Sequence, residues 1–182
     1  MNSEVLIAGF GGQGVLLIGR LIAYAGMMED KEVSWIPAYG PEMRGGTASC
    51  SVIVSDEEIG SPIVTVPNVF MAMNKPSLDR FQSAVQAGGV VLINSSLIEN
   101  AAERSELKTY YVPLNELAVE DGGKLRDANM VALGALVGAT DIVSLESIQK
   151  TFAKTFASKP QFIESNMKAV KRGINCVHKQ KK

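Results

Sequence analysis

One stretch constrains the fold more than any other: Glu4-Val5-Leu6-Ile7-Ala8-Gly9-Phe10-Gly11-Gly12-Gln13-Gly14, running straight into Val15-Leu16-Leu17-Ile18. Val5 to Ala8 are a short apolar run ended by glycine, the pattern of a strand covered on both faces. Beyond Gly14 the chain is free of proline through Asp30, and apolar residues recur at Leu17, Leu21, Ala25 and Met28, which is helical periodicity. Lys31 to Ile36 reads as a second strand, completing a strand, glycine turn, helix, strand unit whose crossover is expected to be right-handed. The turn satisfies G-x-G-x-x-G through Gly9, Gly11 and Gly14. Glycines there allow a tight turn and close approach of backbone to a ligand, and the helix start offers free N–H groups to an anion. A purely structural tight turn uses the same residues, so both readings stand.

Strand and helix signals keep alternating downstream. Pro37 to Gly46 is rich in glycine and proline and reads as loop. Thr47 to Val54 alternates, with Ala48, Cys50, Val52 and Val54 on one side, and Ile63 to Val66 is a short candidate hairpin partner. Val69 to Met73, Gly89 to Asn94 and Lys108 to Val112 read as further strands. Helices are expected over Pro76 to Ala87, from about Asp127 to Ala139, and through the C-terminal part. There Ile163, Met167, Val170, Ile174 and Val177 make one apolar stripe, suited to packing on the domain's own sheet or to a partner surface. The closing Lys179-Gln180-Lys181-Lys182 reads as a solvated tail. The fold class is therefore α/β: a doubly wound, mostly parallel sheet with an antiparallel excursion around residues 47–66, in one domain spanning 1–182.

Composition narrows the function. Eighteen Lys and Arg against nineteen Asp and Glu leave a net charge of −1, so nothing calls for nucleic acid. The apolar stretch from Val5 to Met28 is broken by glycines, Gln13 and Arg20, and matches neither a membrane span nor a signal peptide. The two cysteines, Cys50 and Cys176, lie far apart with no CxxC, which disfavours a disulfide scaffold or a cluster ligated by this chain and suits a reducing, cytoplasmic setting. The single histidine, His178, sits in the Lys-rich end, so histidine triads and metal sites have little support, and no catalytic or metal-ligating residue is assigned. The chain is expected to bind and position.

A second loop carries polar chemistry: Tyr39-Gly40-Pro41-Glu42-Met43-Arg44-Gly45-Gly46. Arg44 can grip a phosphate or carboxylate through its planar fork, with Glu42 orienting it; a solvated Glu–Arg pair is the plainer reading. Its place after the second strand puts it at the sheet edge where open α/β sheets bind ligands. A dinucleotide cofactor needs an acid near the end of that strand to hold the ribose, and Ser34-Trp35-Ile36-Pro37-Ala38 has none. A stand-alone NAD(P)-dependent oxidoreductase is thereby disfavoured, while a phosphate-bearing ligand stays open.

Together AGFGGQGV at 8–15, YGPEMRGGTASCSV at 39–52, NKPSLDRF at 74–81 and ANMVALGAL at 128–136 resemble the gamma subunit of the 2-oxoacid:ferredoxin oxidoreductases, over nearly the whole chain. The resemblance, nearest to the 2-oxoglutarate and 2-oxoisovalerate enzymes, implies a Rossmann-like domain of a multi-subunit enzyme. That enzyme converts a 2-oxoacid and CoA to acyl-CoA, CO2 and reduced ferredoxin. It implies alpha and beta partners, with delta where present, that hold thiamine diphosphate, Mg2+ and the iron–sulfur clusters. This chain would then help bind CoA and close the active site, through Gly9, Gly11, Gly12, Gln13 and Gly14 together with Tyr39, Glu42, Arg44, Gly45 and Gly46. For Asn74 a plain turn and for Asn129 helix capping are the simpler roles. A scaffold subunit with an empty glycine turn is the structural alternative, and a homodimer of the isolated chain stays open.

Overall fold

The computed structural model describes residues 2–40, 46–99 and 104–181. Among these, strands β1 (Asn2–Phe10), β2 (Glu32–Tyr39), β3 (Thr47–Ser55), β4 (Val69–Ala72), β5 (Val90–Asn94) and β6 (Lys108–Val112) form one sheet in the order β2-β3-β1-β4-β5-β6. β1, β4, β5 and β6 run parallel, and β3 is antiparallel to both β1 and β2. The antiparallel excursion is thus a single strand inserted between the first two strands of the βαβ unit. Its pairing with β1 is continuous from Asn2↔Ser55 to Phe10↔Thr47. Residues 63–66, the candidate hairpin partner, form no strand. Ile63 and Val66 stay largely exposed, because both edges of β3 are already taken.

Helices cover the two faces unequally. α1 (Val15–Met27), α3 (Leu114–Val119), α4 (Ala128–Thr140), α5 (Leu145–Thr155) and α6 (Gln161–Gln180) enclose the larger core, where Val5, Ile7, Cys50, Val52, Met71 and Leu92 converge. α2 (Lys75–Phe81), continued by a short 3-10 turn at Gln82–Ala84, covers the smaller core of Ala8, Phe70, Ala72, Val91 and Ile93. The expected helix over 76–87 therefore stops earlier, and Arg104 donates to the carbonyls of Gln82 and Val85 to close its end. The expected loop at 37–46 also starts later: β2 continues to Tyr39 and includes Pro37. A proline is tolerated there because β2 is the sheet edge and pairs only with β3.

α4 is buried over nine consecutive residues, Met130 to Gly138, so it shows no polar face: the sheet lies under it and α6 over it. The α6 stripe is spent inside the molecule, packing on α4 rather than directly on the sheet face, with Val170 and Val177 at 0% exposure. The crossing is so close that a Cβ on Gly134 would overlap the carbonyl oxygen of Val170, and one on Gly173 that of Val131. The tail is not frayed at Gln180. Its Nε2 donates to the Tyr111 carbonyl at 2.8 Å while its Oε1 accepts from the Tyr111 N–H at 3.1 Å, capping the outer edge of β6.

At the far end of α1, Glu29 accepts a 2.6 Å hydrogen bond from the N–H of Ser144, the N-cap of α5, and pairs with Lys31 at 3.0 Å. Burial alone would raise its pKa. The Ser144 backbone N–H, hydroxyl contacts and Lys31 outweigh burial and hold it down to about 2. Because the folded-state pKa is depressed, this contribution is complete above about pH 4.5 and is lost as pH falls toward 2. Urea unfolding across that window is expected to show about 1–3 kcal/mol lost from this group. Glu29→Gln, which keeps the acceptor but not the charge, is expected to flatten that part of the profile. Gly173→Ala is expected to cost about 3 kcal/mol or more in the same measurement, since backbone rather than a movable side chain blocks the added methyl.

Candidate functional site

The glycine turn joins the end of β1 to the start of α1. Gly12 (φ +102°) and Gly14 (φ +77°) occupy the left-handed region that only glycine takes without strain. Gly14 is the N-cap of α1 and has no side chain to satisfy the first-turn N–H groups, which leaves the positive end of the helix uncapped. Next to it lies the start of α4, close enough that a Cβ on Gly14 would overlap the Asn129 carboxamide. Two helix starts thus meet at the carboxyl ends of the parallel strands.

The Gln13 side chain is engaged within the protein. Its Oε1 accepts from the Phe10 N–H (2.7 Å) and from Asn74 Nδ2 (3.1 Å), and its Nε2 donates to the Met73 carbonyl (3.3 Å). Gly9 is glycine because a Cβ there would sit 2.6 Å from Gln13 Oε1 and 2.8 Å from Met73 Cβ. Asn74, 4% exposed, is the N-cap of α2, its Oδ1 accepting from the Ser77 N–H at 3.0 Å. Asn94, at the end of β5, donates from Nδ2 to the same Met73 carbonyl at 3.2 Å. Three buried or half-buried carboxamides therefore lash the ends of β1, β4 and β5 together. Sequence reasoning missed Asn94, although a lone amide closing the apolar run Val90 to Ile93 was a visible signal.

The second loop returns to the same place. Gly40 N–H donates to the Thr47 carbonyl (3.2 Å), and Gly11 N–H donates to the Gly46 carbonyl (2.8 Å), so the two glycine segments are bonded to each other. Tyr39 is 60% exposed at the tip of β2. Glu42, Arg44 and Gly45 lie outside the described residues. On the α2 side of this edge a cavity of about 210 Å3 is lined by Gly9, Tyr39, Thr47, Ser49, Ser77 and Arg80. On the α4 side a second, of about 340 Å3, is lined by Gly12, Asn94, Leu97, Asn115, Arg126 and Asn129. Arg80, stacked 5.1 Å from the Phe81 ring, and Arg126, 5.3 Å from that of Phe162, are cations the sequence did not single out.

Cys50 is buried, donates to the Val15 carbonyl at 3.4 Å, and has its thiol pushed up to about 12 by burial, so it is no nucleophile near neutral pH. Among the described residues no three His, Cys, Asp or Glu side chains are grouped as metal ligands. What stands at the sheet edge is a polarised, amide-rich surface suited to holding an anionic, hydrogen-bonding ligand.

The sequence matches the family described as pyruvate ferredoxin/flavodoxin oxidoreductase over residues 4–176. It is 42% identical over 178 residues to the ketoisovalerate oxidoreductase subunit VorA of Methanothermobacter marburgensis, covering 97% of this chain but only 37% of that protein. Identity to the 2-oxoglutarate synthase subunit KorC of Methanocaldococcus jannaschii is 33% over 175 residues, covering 95% of this chain and 92% of that one. The crystal structure of a keto/oxoacid ferredoxin oxidoreductase gamma subunit from Geobacter sulfurreducens superposes with a TM-score of 0.83 at 30% identity, covering 97% and 99% of the two chains. A 2-oxoglutarate:ferredoxin oxidoreductase from Magnetococcus marinus, solved with 2-oxoglutarate, coenzyme A and succinyl-CoA bound, shares the fold. Its TM-score is 0.89 at 24% identity, over 98% of this chain and 31% of that one.

Removing the Gln13 carboxamide leaves the Phe10 N–H and the Asn74 amide without their acceptor. Gln13→Ala is expected to destabilise the chain by about 2–3 kcal/mol in urea unfolding. Amide exchange is expected to quicken first at residues 10–14 and 73–77.

Proposed function

Because the chain belongs to the pyruvate ferredoxin/flavodoxin oxidoreductase family, we propose that it serves as the gamma subunit of a multi-subunit 2-oxoacid:ferredoxin oxidoreductase working in the cytoplasm. The assembled enzyme oxidatively decarboxylates 2-oxoglutarate with CoA, giving succinyl-CoA and CO2 and passing two electrons to ferredoxin. Alpha and beta chains, with a delta chain where present, hold thiamine diphosphate, Mg2+ and the iron–sulfur clusters. This chain supplies part of the CoA site and helps close it. The name of the KorC relative supports 2-oxoglutarate. The higher identity to the VorA relative favours a second reading, a branched-chain 2-oxoacid as substrate of the same reaction.

The observation that carries this reading is the bond between the two glycine segments, Gly11 N–H to the Gly46 carbonyl, beside the uncapped start of α1. It brings Gly40 and Gly46, which flank Glu42, Arg44 and Gly45 in sequence, to the edge that holds the glycine turn. CoA brings several phosphate charges, and Arg44 with the helix end answers them. The competing nicotinamide reading is weakened further by topology. The ribose-holding strand of that class neighbours the first strand, whereas here β3 stands between β1 and β2, two strand spacings or about 10 Å.

The test is Arg44→Ala in the co-expressed, assembled enzyme. The KM for CoA is expected to rise about tenfold while bound thiamine diphosphate is unchanged, in keeping with loss of one charge-assisted contact. Unaltered CoA kinetics together with intact assembly would overturn the CoA role and leave a scaffold subunit. Turnover of 2-oxoglutarate against 2-oxoisovalerate by the same preparation decides the substrate.

A further inference from the structure

The outward face of α1 carries one stripe of exposed residues, Arg20, Tyr24 and Met27, at spacings of four and three. Alongside it lies α5, and between the two helices runs an open groove of about 300 Å3 lined by Tyr24, Met27, Met28, Thr151, Lys154 and Thr155. Met27, the last residue of α1, stands about 18 Å along the helix axis from Val15, so the groove lies at the opposite end of the helix from the glycine turn. Tyr24 and Met27 remain 43% and 56% exposed beside it. A single large apolar side chain left in water is ordinary. Two at the rim of one concavity, with adaptable methionines for a wall, form a receptive apolar seat.

Its charge says what fills it. Lys154 donates to the Met28 thioether at 3.6 Å, a weak acceptor. Among the described residues neither Lys154 nor Arg20 pairs with a carboxylate, and no acidic side chain lines the groove. The hydroxyls of Thr151 and Thr155 are buried there without a hydrogen-bond partner. The groove thus joins an apolar seat to cations and donors whose acceptors are missing. Resting on the multi-subunit reading above, we propose that it seats an acidic amphipathic helix of another subunit of the enzyme. A large apolar side chain of that helix enters between Met27, Met28 and Thr151, and carboxylates one turn to either side meet Lys154 and Arg20. A second copy of this chain fits less well: two-fold pairing would bring Lys154 and Arg20 of both copies to one interface with no acid in the groove to answer them. A hydrocarbon ligand would leave the same cations unanswered.

Dilution of the co-expressed, assembled enzyme tests this, with the fraction of this chain retained in the assembly read by sedimentation velocity. Tyr24→Ala combined with Met27→Ala, both compatible with helix, is expected to raise the concentration at which half of the chain is lost by about tenfold or more. Lys154→Gln is expected to raise it about fivefold at low salt and to have no effect at about 1 M salt, where exposed charge pairs are screened. Ile63→Ala combined with Val66→Ala, a comparably exposed apolar pair between β3 and β4, is expected to change nothing. Unchanged retention in both groove variants, an equal loss in the Ile63 and Val66 variant, or a Lys154→Gln effect that persists at high salt would overturn the proposal. So would a dimer of the isolated chain that Tyr24→Ala with Met27→Ala abolishes while the assembled enzyme stays intact, which would make a second copy the occupant. In each of these cases the gamma-subunit reading stands. A wild-type chain that joins no co-expressed subunit sinks that reading, and the groove assignment with it.

Discussion

The arrangement at the sheet edge depends on one side chain. The Gln13 carboxamide accepts from the Phe10 N–H and from Asn74, and donates to the Met73 carbonyl. Buried amides are costly when unpaired, and this one settles the ends of two parallel strands and the start of two helices in a single set of bonds. The Gly11 and Gln13 N–H groups are bonded within the protein, to the Gly46 and Phe10 carbonyls, and the start of α1 is left without a side-chain cap. The most chemically suggestive residue of the glycine motif therefore holds the turn in place.

The inserted antiparallel strand gives the second constraint. β3 runs back along the full length of β1, so the chain that left the sheet after β2 is returned to the glycine turn at Gly46. A purely parallel order would have put β2 beside β1 and sent its outgoing loop past the turn. Here the loop is captured at both ends by hydrogen bonds within the sheet's own edge. The same insertion moves the end of β2 one strand further from β1.

Much of this was legible in the residues. The apolar run at Val5 to Ala8, the helical spacing from Leu17 to Met28, the alternation through Val54 and the short strands at 69–73, 89–94 and 108–112 fixed the layered α/β architecture. Periodicity reports which face a residue turns to a core. It does not report which strand lies alongside, so the place of β3 could not be read. The glycine and proline content of residues 37–46 reads as loop, and only pairing information reveals that β2 is an edge strand that can carry Pro37. The stripe on α6 was visible, but its bed on α4 depends on glycines that look unremarkable until two backbones touch. At the site, Gly9 to Gly14, Tyr39 and Gly46 do gather at one edge. Asn94, Asn115 and Arg126 were missed because single polar residues distant in sequence announce nothing until the fold unites them.

The two borders of the sheet are treated differently. Along β6 the carboxamide of Gln180 offers Tyr111 both a donor and an acceptor, an imitation of the next rung of a ladder made by a helix. Along β2 a proline withholds a donor instead. Self-association by strand addition is thus discouraged at both margins by unrelated means, leaving the faces and tips of this domain, rather than its flanks, as the surfaces through which it can join other chains.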